Sequence, residues 1–256
     1  MSSGAQASQA MASDASGAFG NEPALAPTGQ LSGHKDSVTT LCVSDVGEGA
    51  ASQRLVSGSE DGTARLWDLE RHKTFHCFVA PKGLDNPEVA SVAAGEGDLQ
   101  HLVAVARGST VSVYDSREPA LVNRAPAWQQ SLHLDDISEL RMDGASGWLA
   151  AGDDAGEALV YDVRARKLLR RVSGCHSNIC ASVCFRPGHK WELISGGLDA
   201  RVVHTNFNKT RTLHAFSTAT SRAPRAAAPS QLVNPRFAYA VDCDPSGTPL
   251  PPSPSY

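Results

Sequence analysis

The chain has 256 residues, 41% of them hydrophobic and 20% charged, which is enough apolar content to bury a substantial core in one domain. Its net charge of −4 gives no global pull toward nucleic acid or an anionic membrane, and no apolar run reaches the roughly eighteen residues of a spanning helix. Six cysteines without paired spacing speak for a reducing compartment, cytoplasmic or nuclear, and against a disulfide framework.

Residues 1–28 are dominated by Ala, Ser and Gly with scattered Pro. They lack the basic start and apolar centre of a signal peptide, and they carry Asp14 and Glu22 but no Arg, which disfavours a mitochondrial leader. Such a segment cannot bury enough apolar surface to offset its ordering entropy, and a disordered tail is expected. Gly33-His34 then precedes a short alternating run, Val38-Thr39-Thr40-Leu41-Cys42-Val43. A second run, Arg54 to Gly58, leads through the turn Glu60-Asp61-Gly62 into a third, Ala64-Arg65-Leu66-Trp67-Asp68. Short β-type runs separated by Gly/Asp turns read as an antiparallel meander, and Asp61-Gly62 is a hairpin signal because Gly accepts a positive φ. Phe75 and Phe78 fit a fourth, outer strand.

Gly-His, the Ser-Gly-Ser-x-Asp-Gly turn and Leu-Trp-Asp resemble one WD repeat, a blade of a β-propeller. The resemblance implies that His34, Ser57, Asp61 and Trp67 form a buried hydrogen-bond relay. Chemically that is coherent: indole N–H to hydroxyl, hydroxyl to imidazole and imidazole to carboxylate would satisfy every group. A His/Ser/Asp set also invites a hydrolase reading. A serine placed on a strand with no nucleophile elbow around it argues against that, and no catalytic residue is assigned.

The pattern recurs down the chain. Taking Trp67 as anchor, Tyr114 and Tyr161 follow at intervals of 47 residues, and Thr205 comes 44 residues after Tyr161. Val38 and Leu41 correspond to Val89 and Val92, to Ile137 and Leu140, and to Cys180 and Val183; His34 corresponds to His133 and His176, with Asp85 in that place in the second copy. The second copy keeps Gly108 but no turn Asp. The third keeps His133 and Asp153-Asp154-Ala155-Gly156, with Tyr161 for Trp. The fourth keeps His176, Ser195 and Asp199, with Thr205 at the indole position. Only the first copy reads as a complete relay. Residues 29–216 are therefore expected to be four WD repeats.

Residues 217–230 read as a polar, mobile loop, and residues 231–247 as the opening of a fifth repeat with Asn234 where His belongs. Residues 248–256 are Pro-rich and cannot form a strand. Neither terminal segment supplies a closing seam. The expectation is an all-β, incomplete WD-repeat propeller: an open arc, produced by a truncated isoform or a faulty gene model, that self-associates when expressed alone.

Few other constellations carry chemistry. Cys175, His176, Cys180 and Cys184 contain no CxxC pair and read as strand cysteines rather than zinc ligands. Arg164, Arg166, Lys167, Arg170 and Arg171 have no interleaved aromatics, so a solvated loop and edge strand explain them better than nucleic-acid contact. Asp135-Asp136 and Asp153-Asp154 fit turns, and no phosphate-binding glycine loop occurs. No metal or cofactor is expected, and a protein-interaction scaffold is the functional expectation.

Tyr114-Asp115-Ser116-Arg117 and Tyr161-Asp162-Val163-Arg164 are similar to the Trp-Asp-x-Arg ending by which some WD-repeat proteins dock on the damaged-DNA-binding protein 1 adaptor of Cullin-4 ubiquitin ligases. The fuller box, two apolar residues, three small ones and an acid, is approximated by Leu149-Ala150-Ala151-Gly152-Asp153. The first repeat has Glu70 where Arg is wanted. The resemblance implies a substrate-receptor role; the alternative is a scaffold unrelated to ubiquitin, in which Tyr-Asp-x-Arg simply closes a blade.

Overall fold

The structure, a computed structural model, describes residues 29–45, 53–84, 86–218 and 237–243. The chain divides into Met1–Gln30, of which only residues 29 and 30 are described, and a compact unit, Leu31–Tyr256. The expected N-terminal and C-terminal tails, most of the 217–230 loop, Asp85 and Asn234 lie outside the described residues.

Among its described residues the compact unit forms four sheets, antiparallel except where one short strand joins the first sheet in parallel. Blade one is β1 (Val38–Asp45), β2 (Gln53–Ser59), β3 (Thr63–Asp68) and β4 (Lys73–Val79). Blade two pairs β5 (Ser91–Ala94), β6 (Leu102–Arg107) and β7 (Thr110–Asp115) with β9 (Trp128–Gln130), while β8 (Val122–Asn123) leaves to join blade one. Blade three is β10 (Ile137–Asp143), β11 (Trp148–Asp153), β12 (Ala158–Asp162) and β13 (Lys167–Val172). Blade four is β14 (Cys180–Phe185), β15 (Glu192–Gly197), β16 (Arg201–Asn206) and β17 (Arg211–Ser217). The turns form where the residues allow them. Gly62 and Gly156 take φ of 76° and 80°, and Ala200 takes the left-handed φ of 60° at the corresponding corner of blade four.

The register shows how strict the repeat is. Leu41 pairs with Ser57, Leu140 with Ala151 and Val183 with Ser195, and each first strand shifts register just before this pair, between Val38 and Thr40, Ile137 and Glu139, and Cys180 and Ser182. In blade two the matching pair is Val92 with Val105, without that bulge. The second strand of each blade carries a small residue where the next blade's first strand crosses. A Cβ on Gly152 would lie 2.6 Å from the Cys180 carbonyl oxygen, and one on Gly196 would lie 2.9 Å from the Ala238 carbonyl oxygen. Sheet-to-sheet packing at this distance requires glycine there.

Successive blades are also joined by a repeated hydrogen bond. Leu140 N–H donates to Ser91 Oγ at 3.0 Å, Val183 N–H to a Glu139 carboxylate oxygen at 2.9 Å, and Val241 N–H to Ser182 Oγ at 3.0 Å. Val241 thus takes the hydrogen-bonding place of Leu140 and Val183, and residues 237–243 lie on blade four.

The core lies between blades. One cluster joins Ala93, Ala104, Val111 and Val113 of blade two to Ile137, Leu140, Leu149 and Tyr161 of blade three. A second joins Trp148, Ala150 and Val160 of blade three to Cys180, Val183, Leu193 and Phe207 of blade four. A third joins Val56, Leu66 and Phe78 to Val89, Val92 and Tyr114. Middle strands such as β11 are buried along their whole length because both faces are covered. Consecutive blades pack in this way, and the sheets form an open arc. Its free face is that of blade one: Val38, Leu41 and Val43 are 51%, 61% and 57% exposed, whereas Val92, Leu140 and Val183 at the Leu41 position are 2%, 0% and 0% exposed.

Candidate functional site

Blade one assembles the sequence-selected four into a continuous chain. Trp67 Nε1–H donates to Ser57 Oγ at 2.8 Å, Ser57 Oγ lies 2.7 Å from His34 Nε2, and His34 Nδ1 lies 3.1 Å from Asp61 Oδ2. With the proton on Nδ1, every donor finds an acceptor. Burial alone would raise the Asp61 carboxyl. Hydrogen bonds from Thr63 Oγ1, from the Lys35 and Thr63 amides and from His34 outweigh it and hold the group well below the usual carboxylate range. Ser57 is buried, and its hydroxyl accepts the indole N–H and faces the imidazole.

The other blades vary this chain in ways their sequences only partly reveal. In blade four His176 sits 3.0 Å from Asp199 Oδ1 and 2.9 Å from Ser195 Oγ, and the buried Thr205 Oγ1 at the indole position has no partner among the described residues. In blade three His133 Nδ1 lies 2.9 Å from Asp153 Oδ2. Asp153 pairs with Ile137 as Ser59 pairs with Val38, so the acid stands two residues earlier than Asp61 and still reaches its histidine. Ala151 fills the Ser57 register, which leaves His133 Nε2 and the Tyr161 hydroxyl buried without partners among the described residues.

Blade two has replaced the relay altogether. Arg107, fully buried, donates through one terminal nitrogen to the Tyr114 hydroxyl at 3.1 Å. Through the other it donates to the Phe78 and Gly62 carbonyl oxygens of blade one, at 3.0 and 3.3 Å. Burial pushes the guanidinium below its ordinary value, partly offset by Tyr114. Sequence reading marked the loss of the turn Asp here but not the substitute. The available signal was the arginine itself, at the end of an otherwise apolar strand, Leu102–Arg107. The loop after β7 also ties the two blades together: β8 runs parallel to β4, and Cys77 N–H donates to the Leu121 carbonyl at 2.7 Å.

The docking candidates divide into buried and displayed halves. Tyr114 and Tyr161 are fully buried, whereas Arg117 and Arg164 follow β7 and β12 with side chains 69% and 51% exposed. Arg117 folds back on Asp115, with contacts of 3.0 and 2.6 Å. The Asp162 carboxylate instead accepts the Ala165 amide, and Arg164 lies 3.7 Å from the highly exposed Asp98. Arg164 also lines an open cleft of about 860 Å³ with Arg141, Trp148, Phe185, Arg186 and Lys190. In blade one Arg71, one residue beyond the expected place, pairs with Asp68 at 2.6 Å.

Three other members of the basic cluster are engaged within the fold. Arg166 donates to the Ala127 carbonyl at 3.5 Å, Arg170 to Asn208 at 3.3 Å, and Arg171 to Glu157 and the Leu132 carbonyl. The Arg166 and Arg170 bonds join one blade to the next, whereas Arg171 to Glu157 lies within blade three. Of the strand cysteines, burial pushes the Cys175 thiol up to about 11 and Cys180 well above its ordinary value.

Comparison with known proteins agrees with this geometry. The family described as "WD domain, G-beta repeat" matches residues 25–68, the stretch that contains the complete relay. The chain is 29% identical over 225 residues to the WD repeat-containing protein 53 homolog of Dictyostelium discoideum, covering 84% of this chain and 58% of that protein. It is also 30% identical over 106 residues to mouse Pleiotropic regulator 1, covering 40% of this chain and 20% of the relative. To the mouse ribosome biogenesis protein BOP1 it is 26% identical over 204 residues, covering 67% and 27%. The chain therefore spans less than two thirds of the length of each of these relatives. Four blades in one register, a relay built from the expected residues and a family match over the first copy point the same way: the chain resembles the WD-repeat family, and residues 25–68 match its repeat.

Proposed function

We propose that the chain is a non-enzymatic protein-interaction scaffold of the cytoplasm or nucleus that docks on the damaged-DNA-binding protein 1 adaptor of Cullin-4 ligases through the turns after β7 and β12. The observation that carries this reading is the pair of displayed arginines. Arg117 and Arg164 leave the same strand position in adjacent blades, each three residues after a buried tyrosine and each with a planar guanidinium half-exposed or more and able to pair with a partner carboxylate, Arg117 once it leaves Asp115. Arg164 is the better placed of the two, because its nearest carboxylate lies at 3.7 Å and is itself exposed. A pull-down with purified adaptor, comparing the wild type with the Arg117→Ala/Arg164→Ala double variant, tests the proposal. Equal capture of the two would sink it.

One observation favours the second reading, a scaffold with partners unrelated to ubiquitin. Arg117 already satisfies Asp115, and Arg71 does the same for Asp68 in a blade that lacks the docking tetrapeptide. An Asp–Arg pair that closes the turn explains the motif without a partner. Adaptor capture separates the two readings.

A further inference from the structure

Blade four and the segment laid upon it meet at two cysteines that none of the preceding roles employs. Residues 237–243 are held on blade four by Ala238 N–H donating to the Gly197 carbonyl at 3.1 Å and by Val241 N–H donating to Ser182 Oγ at 3.0 Å. At the end of this contact one carboxylate oxygen, Asp242 Oδ1, lies 3.8 Å from Cys184 Sγ and accepts the Cys243 amide at 2.9 Å. Cys184 Sγ and the Cys243 backbone amide thus meet at the same Asp242 oxygen, and neither cysteine is in a disulfide. Both line the open cleft that contains Arg164 and Arg186, so a small solute can reach them, Cys243 being the less buried.

We propose that Cys184 and Cys243 form a reversible disulfide that fastens residues 237–243 to blade four, with a peroxide as oxidant. Cys243, at the cleft, reacts first: its sulfur attacks a peroxide oxygen, the O–O bond breaks, and the leaving hydroxide takes a proton to become water. Cys184 then attacks the resulting sulfenic acid, the S–O bond breaks, and the second water carries away the thiol proton, for which Asp242 is the adjacent acceptor. Two thiols lose two electrons and hydrogen peroxide is reduced to two waters. The order follows from exposure: Cys243 is the less buried of the two and meets the peroxide first, while burial pushes the Cys184 thiol up and keeps it from reacting with peroxide itself. Cys175 and Cys180 are buried in blade four away from this contact, and the Cys175 thiol points to the Val172 carbonyl. The bridge would suit a reducing compartment, where such bonds form transiently.

The test uses the full chain, treated with hydrogen peroxide in its native state, alkylated and digested with trypsin. Mass spectrometry should find the Cys243 peptide linked to the peptide that carries Cys184 and released by dithiothreitol. Because that second peptide also contains Cys175 and Cys180, variants make the assignment. Cys184→Ser and Cys243→Ser must each abolish the link, while Cys175→Ser and Cys180→Ser keep it. Hydrogen exchange at Ala238 and Val241 should slow by roughly tenfold or more on oxidation of the wild type. Circular dichroism checks that each variant retains its strands; should Cys184→Ser unfold, Cys243→Ser and the wild-type exchange data still decide. A wild type whose two cysteines stay fully alkylatable after peroxide, or that forms only intermolecular bridges, overturns the proposal.

Discussion

His133 and Tyr161 stand with their ring centroids 6.0 Å apart, nearly the 6.1 Å that separates His34 from Trp67, yet no hydroxyl joins them. In blade one Ser57 bridges the two rings; in blade three its register is held by Ala151, and both His133 Nε2 and the Tyr161 hydroxyl are left buried and unpaired among the described residues. Leaving such groups unmet costs about 1–3 kcal/mol apiece. Ala151→Ser should therefore stabilise the chain by roughly 1 kcal/mol, by giving Tyr161 an acceptor and His133 a donor. Thermal melts of the two proteins measure it. The gain should shrink when Tyr161→Phe is added; a serine that destabilises would mean the site is too tightly packed to take an oxygen.

The intact relay makes the opposite prediction. Asp61 accepts from His34, from Thr63 Oγ1 and from the Lys35 and Thr63 amides. Asp61→Ala removes all of these acceptors at once and should destabilise by about 1–3 kcal/mol, as read from the midpoint of urea unfolding. A loss within error of zero would show that water replaces the carboxylate without penalty.

Much of this was legible in the sequence because repetition supplied its own check. A single Gly-His or Asp-Gly is weak, but four copies in one register assigned the strands, the histidines and the place of Val241. What stayed hidden depended on contacts between copies. Nothing local to Arg107 says that its guanidinium will reach the Gly62 and Phe78 carbonyls of the preceding blade. Nothing in Val122-Asn123 marks a strand that leaves its own sheet to pair with β4. Asp153 reads as part of the kept turn, but only the structure shows that it reaches the imidazole from two residues out of step with Asp61. The docking motif was legible as letters, but which of its residues are displayed was not: the tyrosines are buried and Arg117 is folded onto Asp115.

Stability should fall as the solution is acidified, in two stages. Burial pushes His176 below its usual value despite Asp199 beside it. The unfolded chain then binds the proton more readily, and stability present above about pH 6.5 declines as the pH falls from there toward the folded value. Asp61 and Asp199 are also held below the usual carboxylate range, their hydrogen bonds outweighing burial. Their contribution is present above about pH 4 and is lost below it. Urea melts between pH 8 and pH 3 should show both declines, and Asp199→Asn should flatten the lower one. Stability that rises between pH 7.5 and pH 5.5 would contradict the assignment.

If the chain docks on the adaptor, its two arginines should not contribute equally. Arg117 must first give up Asp115, whereas Arg164 has only the distant, exposed Asp98 to leave. Arg164→Ala should weaken binding more than Arg117→Ala, by several-fold in dissociation constant as measured by surface plasmon resonance. The reverse order would show that the Asp115–Arg117 pair is itself the recognised feature.

The last prediction concerns the free face of blade one. At every other first strand the positions of Val38 and Leu41 are closed off by the preceding blade: Val89, Val92, Ile137, Leu140, Cys180 and Val183 are all buried. Blade one has nothing over them among the described residues, and Val43 extends the same apolar strip. Burying each such side chain is worth about 1.5–3 kcal/mol, so three together provide a strong drive toward contact with any apolar surface. At micromolar concentration the chain should therefore self-associate, and the Leu41→Glu/Val43→Lys double variant should shift it toward monomer, because neither substitution touches the interface with blade two. Light scattering with inline size-exclusion chromatography reads both. A sharp monomeric peak for the wild type, with a single cooperative melt, would mean that something in this chain covers blade one and that the arc is closed in solution.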